Sequence, residues 1–143
     1  KRGKTVVIGG IHASSLPDEA KEYVDAVVIG EAEMLWEKIV EDFIAGNLQP
    51  RYQSTELHDM KNLPIPRYDL LNRSHYYVST MPVQATRGCP FNCDFCTVTK
   101  FFGGSYRLRP IDDVIEEVKA TKAQIVFFVD DNFIGNKVNV KKM

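Results

Sequence analysis

Two uninterrupted apolar runs open the chain, Thr5-Val6-Val7-Ile8 and Ala26-Val27-Val28-Ile29, each rich in β-branched residues and each closed by glycine, at Gly9-Gly10 and at Gly30. Runs without polar alternation predict strands covered on both faces, as in a parallel sheet. Between them, residues 16–23 predict a short crossover helix with Pro17 in its first turn. After Gly30, residues 31–45 place Leu35, Ile39, Val40, Phe43 and Ile44 at helical spacing, with Gly46 as the stop. Strand, helix, strand, helix is the order of an α/β fold. Two strands cannot cover both faces of a sheet, so this segment is expected to be part of a larger parallel sheet.

From residue 47 the apolar periodicity fades, and Pro50, Pro64 and Pro66 appear in a stretch without clear pattern. Pro64-Ile65-Pro66 fits neither a helix interior nor a central strand. The stretch is predicted to be an ordered linker, anchored by Leu57, Leu63, Ile65, Tyr68, Leu70 and Leu71. Residues 76–78 and 81–86 are predicted extended, the latter a strand ending at Arg87-Gly88. A helix is predicted over 111–121, with Ile111, Val114, Ile115 and Val118 on one face, Pro110 at its start and Asp112 and Asp113 at the positive end of its dipole. Residues 125–129 form a third buried-type strand, closed by Asp130-Asp131-Asn132. The expected organisation is thus one α/β segment over 1–46, a linker over 47–80 and the first β-α-β unit of a second α/β segment over 81–143.

Composition narrows the function. The chain has 143 residues, enough for about one domain of ordinary size, with 44% hydrophobic and 26% charged residues and a net charge of −1. That balance gives no general attraction to nucleic acid or to an anionic membrane surface. The longest apolar run, residues 125–129, is far short of the ~20 residues of a membrane span, and the basic first residues precede no apolar signal region. All three cysteines, Cys89, Cys93 and Cys96, lie within eight residues. Bridges among such near neighbours would close strained loops, so free thiols in a reducing, cytoplasmic setting and a metal-binding role are expected.

The loop reads Cys89-Pro90-Phe91-Asn92-Cys93-Asp94-Phe95-Cys96. A structural zinc site wants four ligands, whereas three thiolates on a cluster leave a metal position open. The spacing, the aromatic residue before the last cysteine and the placement after a buried strand resemble the signature of the radical S-adenosylmethionine enzymes. The resemblance implies that Cys89, Cys93 and Cys96 hold a 4Fe-4S cluster, whose unique iron chelates S-adenosylmethionine and whose electron releases a 5'-deoxyadenosyl radical. It also implies that Phe95 lies against the adenine. Asp130, Asp131 and Asn132 occupy the place where this family carries polar groups for the cofactor's amino group; an equally open reading makes them the N-cap of the next helix.

The front of the chain, with Gly9-Gly10-Ile11-His12 and Gly30-Glu31-Ala32-Glu33, resembles the last part of the Rossmann-like cobalamin-binding domain fused to many of these enzymes. On that resemblance Gly9, Gly10, Gly30 and Glu31 line the pocket for the cobalamin nucleotide tail. The Asp-x-His-x-x-Gly stretch that supplies a cobalt ligand in such domains is absent from this sequence, so His12 is not taken for that ligand.

The resemblance therefore implies a piece of a cobalamin-dependent methyltransferase spanning the end of the cobalamin domain and the start of a partial TIM barrel. Such a piece would be inactive and self-associating by itself, and the whole would use a small-molecule substrate and an electron donor such as a flavodoxin or ferredoxin. Ring contraction or another rearrangement remains open beside methyl transfer. So does a different class, a zinc-binding interaction module built on the same cysteines and a histidine, and a cobalamin-binding domain whose cysteine loop is vestigial. Trp36 is expected to pack, Phe101-Phe102 to belong to the core or to touch substrate, and Arg107 and Arg109 to be solvated or to face an anion. His58 and His75 need no role.

Overall fold

The structure, a computed structural model, describes residues 2–75 and 80–143, so the predicted extended segment 76–78 lies outside the described residues. The chain divides into two compact units, Lys1–His58 with Lys100–Phe102 and Asp59–Thr99 with Gly103–Met143.

The first unit is a parallel three-stranded sheet in the order β1 (Val7–Ile8), β2 (Ala26–Ile29), β3 (Arg51–Gln53). The apolar run of β2 works as its pattern predicts. Ala26 and Val28 pack with Ile39 and Tyr52 on one face, while Val27 packs with Ala13 and Ala20 on the other, all of them buried. Ala13 and Ala20 come from α1 (Ile11–Ser15) and α2 (Pro17–Lys21). The predicted single crossover helix is therefore two short ones, broken at Leu16, which precedes proline and is driven out of the helical region (φ −129°, ψ 63°).

The next helix, α3 (Trp36–Ile44), starts later than predicted and uses Ile39 as its core residue. Trp36 is 53% exposed, which corrects the expectation that it packs; Phe43 and Ile44 also face outward. Strand β3 lies inside the predicted linker. Its sequence, Arg-Tyr-Gln, is polar on the two outward positions, and only Tyr52 is buried. The Tyr52 hydroxyl donates to Asp42 Oδ2 at 2.9 Å and accepts the Gln49 N–H at 2.9 Å, fastening β3 to α3. That hydroxyl, followed by Lys38 at 3.1 Å, holds the Asp42 carboxyl below the usual carboxylate range.

In the second unit β4 (Thr80–Val83) pairs in parallel with β7 (Ile125–Phe128), in the register Thr80↔Ile125 to Val83↔Phe128. Helix α5 (Ile111–Thr121) makes the crossover over the predicted residues and ends where Lys122 turns left-handed (φ 49°). Val83, Ala85 and Val114 form the buried centre, with Val118, Val126, Phe128 and Phe133 packed around it. The predicted strand 81–86 breaks after Val83 and resumes as β5 (Thr86–Gly88), which pairs antiparallel with β6 (Tyr106–Leu108). The β5–β6 hairpin brackets the cysteine loop and a helical turn, α4 (Thr97–Phe101). A last turn, α6 (Lys137–Val140), is capped by the Asn136 side chain.

Strand β4 meets β7 through Val83, whose carbonyl accepts the Val129 N–H at 3.0 Å. Pro82 and Gln84, alternating with Val83, turn their carbonyls to the opposite edge. A buried polar network meets them there. Arg109 Nη1 donates to Gln84 O at 2.7 Å and, closely, to Glu117 Oε2; the Tyr68 hydroxyl donates to Glu117 Oε1 at 2.5 Å with Pro82 O 3.2 Å away. Arg109 is 4% exposed and Glu117 also 4%, so of the two readings of Arg109 the solvated charge is corrected, and the anion it faces is Glu117 of the same chain. Of the predicted linker anchors in this unit only Tyr68 is buried, joined by Met60; Leu70 is largely exposed, and Ile65 and Leu71 are partly so.

Candidate metal centre

The cysteine loop leaves the carboxyl end of β5, and its first residue is held from below by the end of β7. Three consecutive side chains there fasten β5, its approach and the start of the loop. Asp130 Oδ1 accepts the Ala85 N–H at 3.0 Å and, closely, the Thr86 N–H. Asp131 Oδ2 accepts the Gly88 N–H at 3.0 Å, and Asn132 Nδ2 donates to Cys89 Sγ at 3.4 Å. The bonds explain why the long predicted strand breaks: past Val83 the backbone N–H groups are taken by carboxylates rather than by a strand. Gly88 sits at φ 82°, a left-handed conformation that favours glycine, and this turns the chain out of β5 into Cys89.

Along the loop, Cys93 is exposed and Cys89 and Cys96 are half-buried, all as free thiols. The Cys96 N–H donates to the Cys93 carbonyl at 3.0 Å, and Thr99 Oγ1 donates to Phe91 O at 3.0 Å, so the loop closes on itself before α4. Among the described residues, no three His, Cys, Asp or Glu side chains converge on a single-ion site. A tetrahedral zinc would require its sulfurs about 3.8 Å apart, given Zn–S bonds of about 2.3 Å. In a four-iron cluster each thiolate takes a different iron. The donor set, three thiols on one loop, fits such a cluster.

The ends of the parallel strands carry the other predicted groups. Asp130 keeps its Oδ2 buried and without a hydrogen-bond partner among the described residues, as does Thr86 with its Oγ1. A buried acceptor left over at the carboxyl end of β7 fits the ammonium of an amino-acid cofactor. Asn132 precedes the 3-10 turn Phe133–Gly135, yet its side chain makes no cap hydrogen bond there; nor do Asp130 and Asp131, whose oxygens go to β5 and its approach. Asn132 does hold the N-cap position of that turn, where its backbone carbonyl accepts the Gly135 N–H at 3.3 Å. Phe95 is 90% exposed, so its ring is accessible to a planar partner.

In the first unit Gly9 and Gly10 end β1, and Gly30 and Glu31 end its parallel neighbour β2, so the four predicted residues share one sheet edge. Gly10 has φ 95°, and a Cβ there would meet no atom within 4 Å, so the strand end stays open to a ligand. Glu31 is buried, and its Oε2 accepts the His58 N–H at 2.7 Å, which ties down the chain beyond β3. Ser14 was not singled out from the sequence. Its hydroxyl accepts the Gly30 N–H at 3.0 Å and links α1 to the end of β2; the signal was the Ser14-Ser15 pair so soon after Gly9-Gly10. His12 makes a surface pair with Glu19 at 3.4 Å.

A parallel β-α-β unit with a three-cysteine loop beyond its first strand is an α/β arrangement. Residues 83–142 match the Radical SAM superfamily. The chain is similar to the bacteriochlorophyllide d C-12(1)-methyltransferase of Chlorobaculum tepidum, 37% identical over 92% of this chain and 31% of the relative. It is also similar to that organism's bacteriochlorophyllide d C-8(2)-methyltransferase, 37% identical over 100% of this chain and 35% of the relative. The hopanoid C-2 methylase of Rhodopseudomonas palustris is 32% identical over 92% of this chain and 26% of its own length. The chain thus spans about a quarter to a third of the length of these curated relatives. Among the described residues no helix is long and apolar enough to cross a membrane.

Proposed function

We propose that this chain carries the cluster loop of a cobalamin-dependent radical S-adenosylmethionine methyltransferase, with residues 1–46 contributing the end of the cobalamin-binding domain, 47–80 the linker and 81–143 the start of the radical barrel. The observation that carries the reading is the grip of Asp131 and Asn132 on Gly88 and Cys89, which fixes the first of three free thiols at the carboxyl edge of parallel strands. Methyltransferase relatives that align over nearly the whole chain support the reaction class.

Cys89, Cys93 and Cys96 would hold the cluster, which when bound supplies the electron for reductive cleavage of S-adenosylmethionine. The chain's own residues do the rest. Asp130 Oδ2 accepts from the cofactor's ammonium, while Asp130 Oδ1 stays on the Ala85 and Thr86 N–H groups and keeps that carboxylate in place. Phe95 offers its exposed face to the adenine. Gly9, Gly10, Gly30 and Glu31 line one wall for the cobalamin tail, with the Gly10 backbone approachable from the open side. The methyl acceptor is a small molecule, and reduction requires a cytoplasmic electron donor of the flavodoxin or ferredoxin kind.

The test is anaerobic reconstitution of the chain with iron and sulfide, then metal analysis and low-temperature EPR of the reduced sample. About four irons per chain, with a spectrum that changes on adding S-adenosylmethionine, is the expected result. One zinc per chain and no such signal would overturn it.

A further inference from the structure

The Asn132 amide is the neutral member of an otherwise acidic run, Asp130-Asp131-Asn132, and it alone meets a sulfur. Its Nδ2 lies 3.4 Å from Cys89 Sγ, a normal length for N–H···S, and its backbone carbonyl accepts the Tyr106 hydroxyl at 3.0 Å. The residue is thus clamped between β6 and the cysteine loop, and its amide points at the thiol by construction. Each of the two carboxylates before it gives one oxygen to backbone N–H groups, Asp130 Oδ1 to Ala85 and Thr86 and Asp131 Oδ2 to Gly88.

A metal-bound thiolate keeps lone pairs that an N–H can engage. Donation to them draws electron density from the sulfur and favours the reduced, more negative cluster, which raises its reduction potential. An aspartate at this position would do the opposite, setting a negative charge against an electron-rich sulfur.

We propose that Asn132 is a positioning residue for Cys89 that also sets the reduction potential of the cluster through its N–H···S bond. The inference rests on the reading of Cys89 as a cluster ligand. It adds a role distinct from the cofactor contact first expected of Asn132, since the amide nitrogen is turned to sulfur.

The full chain and its Asn132→Ala, Asn132→Asp and Asn132→Gln variants are reconstituted anaerobically with iron and sulfide, their iron is counted, and the reduced fraction is followed by EPR against a series of set potentials. Iron content should stay at the wild-type level. Asn132→Ala should be harder to reduce, and Asn132→Asp harder still, with a reduction equilibrium constant lower by about tenfold or more, which is about 59 mV for a one-electron couple. Asn132→Gln, which keeps an amide donor, should lie nearest the wild type. If Asn132→Asp fails to load, Asn132→Ala against Asn132→Gln decides. Loaded variants that all titrate with the wild type overturn this inference and leave the cluster assignment standing. A wild-type chain that takes up no iron overturns the cluster assignment, and this inference with it.

Discussion

Replacing Glu117 by glutamine tests what holds the free edge of β4. The carboxylate is buried, takes a charged hydrogen bond from Arg109 and accepts a second from Tyr68 at 2.5 Å. Glu117→Gln keeps the shape and removes the charge, leaving a guanidinium that is 4% exposed without its counter-ion. Breaking one side of a buried pair costs about 3–5 kcal/mol, a large share of the 5–15 kcal/mol by which a domain is stable. Tyr68→Phe removes only the hydroxyl, one hydrogen bond to a charged acceptor, for about 1.5–3 kcal/mol. The double variant Arg109→Met/Glu117→Leu distinguishes the charge from the edge. Arg109 Nε and Nη2 are buried without partners among the described residues, so the pair already carries an uncompensated desolvation cost, and an apolar replacement should recover most of the single-variant loss. Recovery should stop short by about 1–3 kcal/mol, because the Gln84 carbonyl then loses its donor. Urea denaturation followed by circular dichroism gives the energies, and hydrogen exchange at the Arg109 amide, bonded to Ala85 O at 3.0 Å, reports the site itself. If Glu117→Gln unfolds within about 0.5 kcal/mol of the wild type, the range expected of an unremarkable surface change, the network does not secure this edge and the argument fails.

The same network predicts a pH dependence: burial first, then the hydrogen bond to Glu117, push the Tyr68 phenol well above its ordinary value of 10.0. The folded chain then keeps a proton that the unfolded chain releases, so the contribution of Tyr68 is complete below about pH 10 and is lost as pH rises further; alkaline denaturation should be steeper for wild type than for Tyr68→Phe. Gly88→Ala forces a side chain into φ 82° and should cost about 1–2 kcal/mol, read as a lower thermal midpoint together with weaker protection of the β5–β6 amides. Ile39→Ala, at 2% exposure beneath β2 and β3, should destabilise the first unit by about 2–5 kcal/mol in urea, seen in the fluorescence of Trp36 on the same helix.

The elements that were legible in the sequence are those whose pattern and tertiary role coincide. The β-branched run of β2 is buried on both faces, and α5 runs from a proline-preceded start to its end at Thr121 because Val114 and Val118 repeat toward one core. The elements missed were made by partners far away in sequence. β3 is three residues, two of them polar, and is a strand only because β2 offers it an edge; β5 leaves the line of β4 because Asp130, 44 residues on, takes the Thr86 N–H. The same division runs through the candidate site. Cys89, Cys93 and Cys96 announced themselves by spacing, and the acidic run after β7 by its place. What the run does was not readable in the letters, since Asp130, Asp131 and Asn132 each reach a different backbone or sulfur atom of one short turn. A further signal within reach was Glu117, a carboxylate three residues beyond Val114 on the core-facing side of α5, where an unpaired charge would be untenable. Its presence there required a buried cation, and Arg109, immediately before Pro110 at the start of the same helix, is the one that the fold supplies.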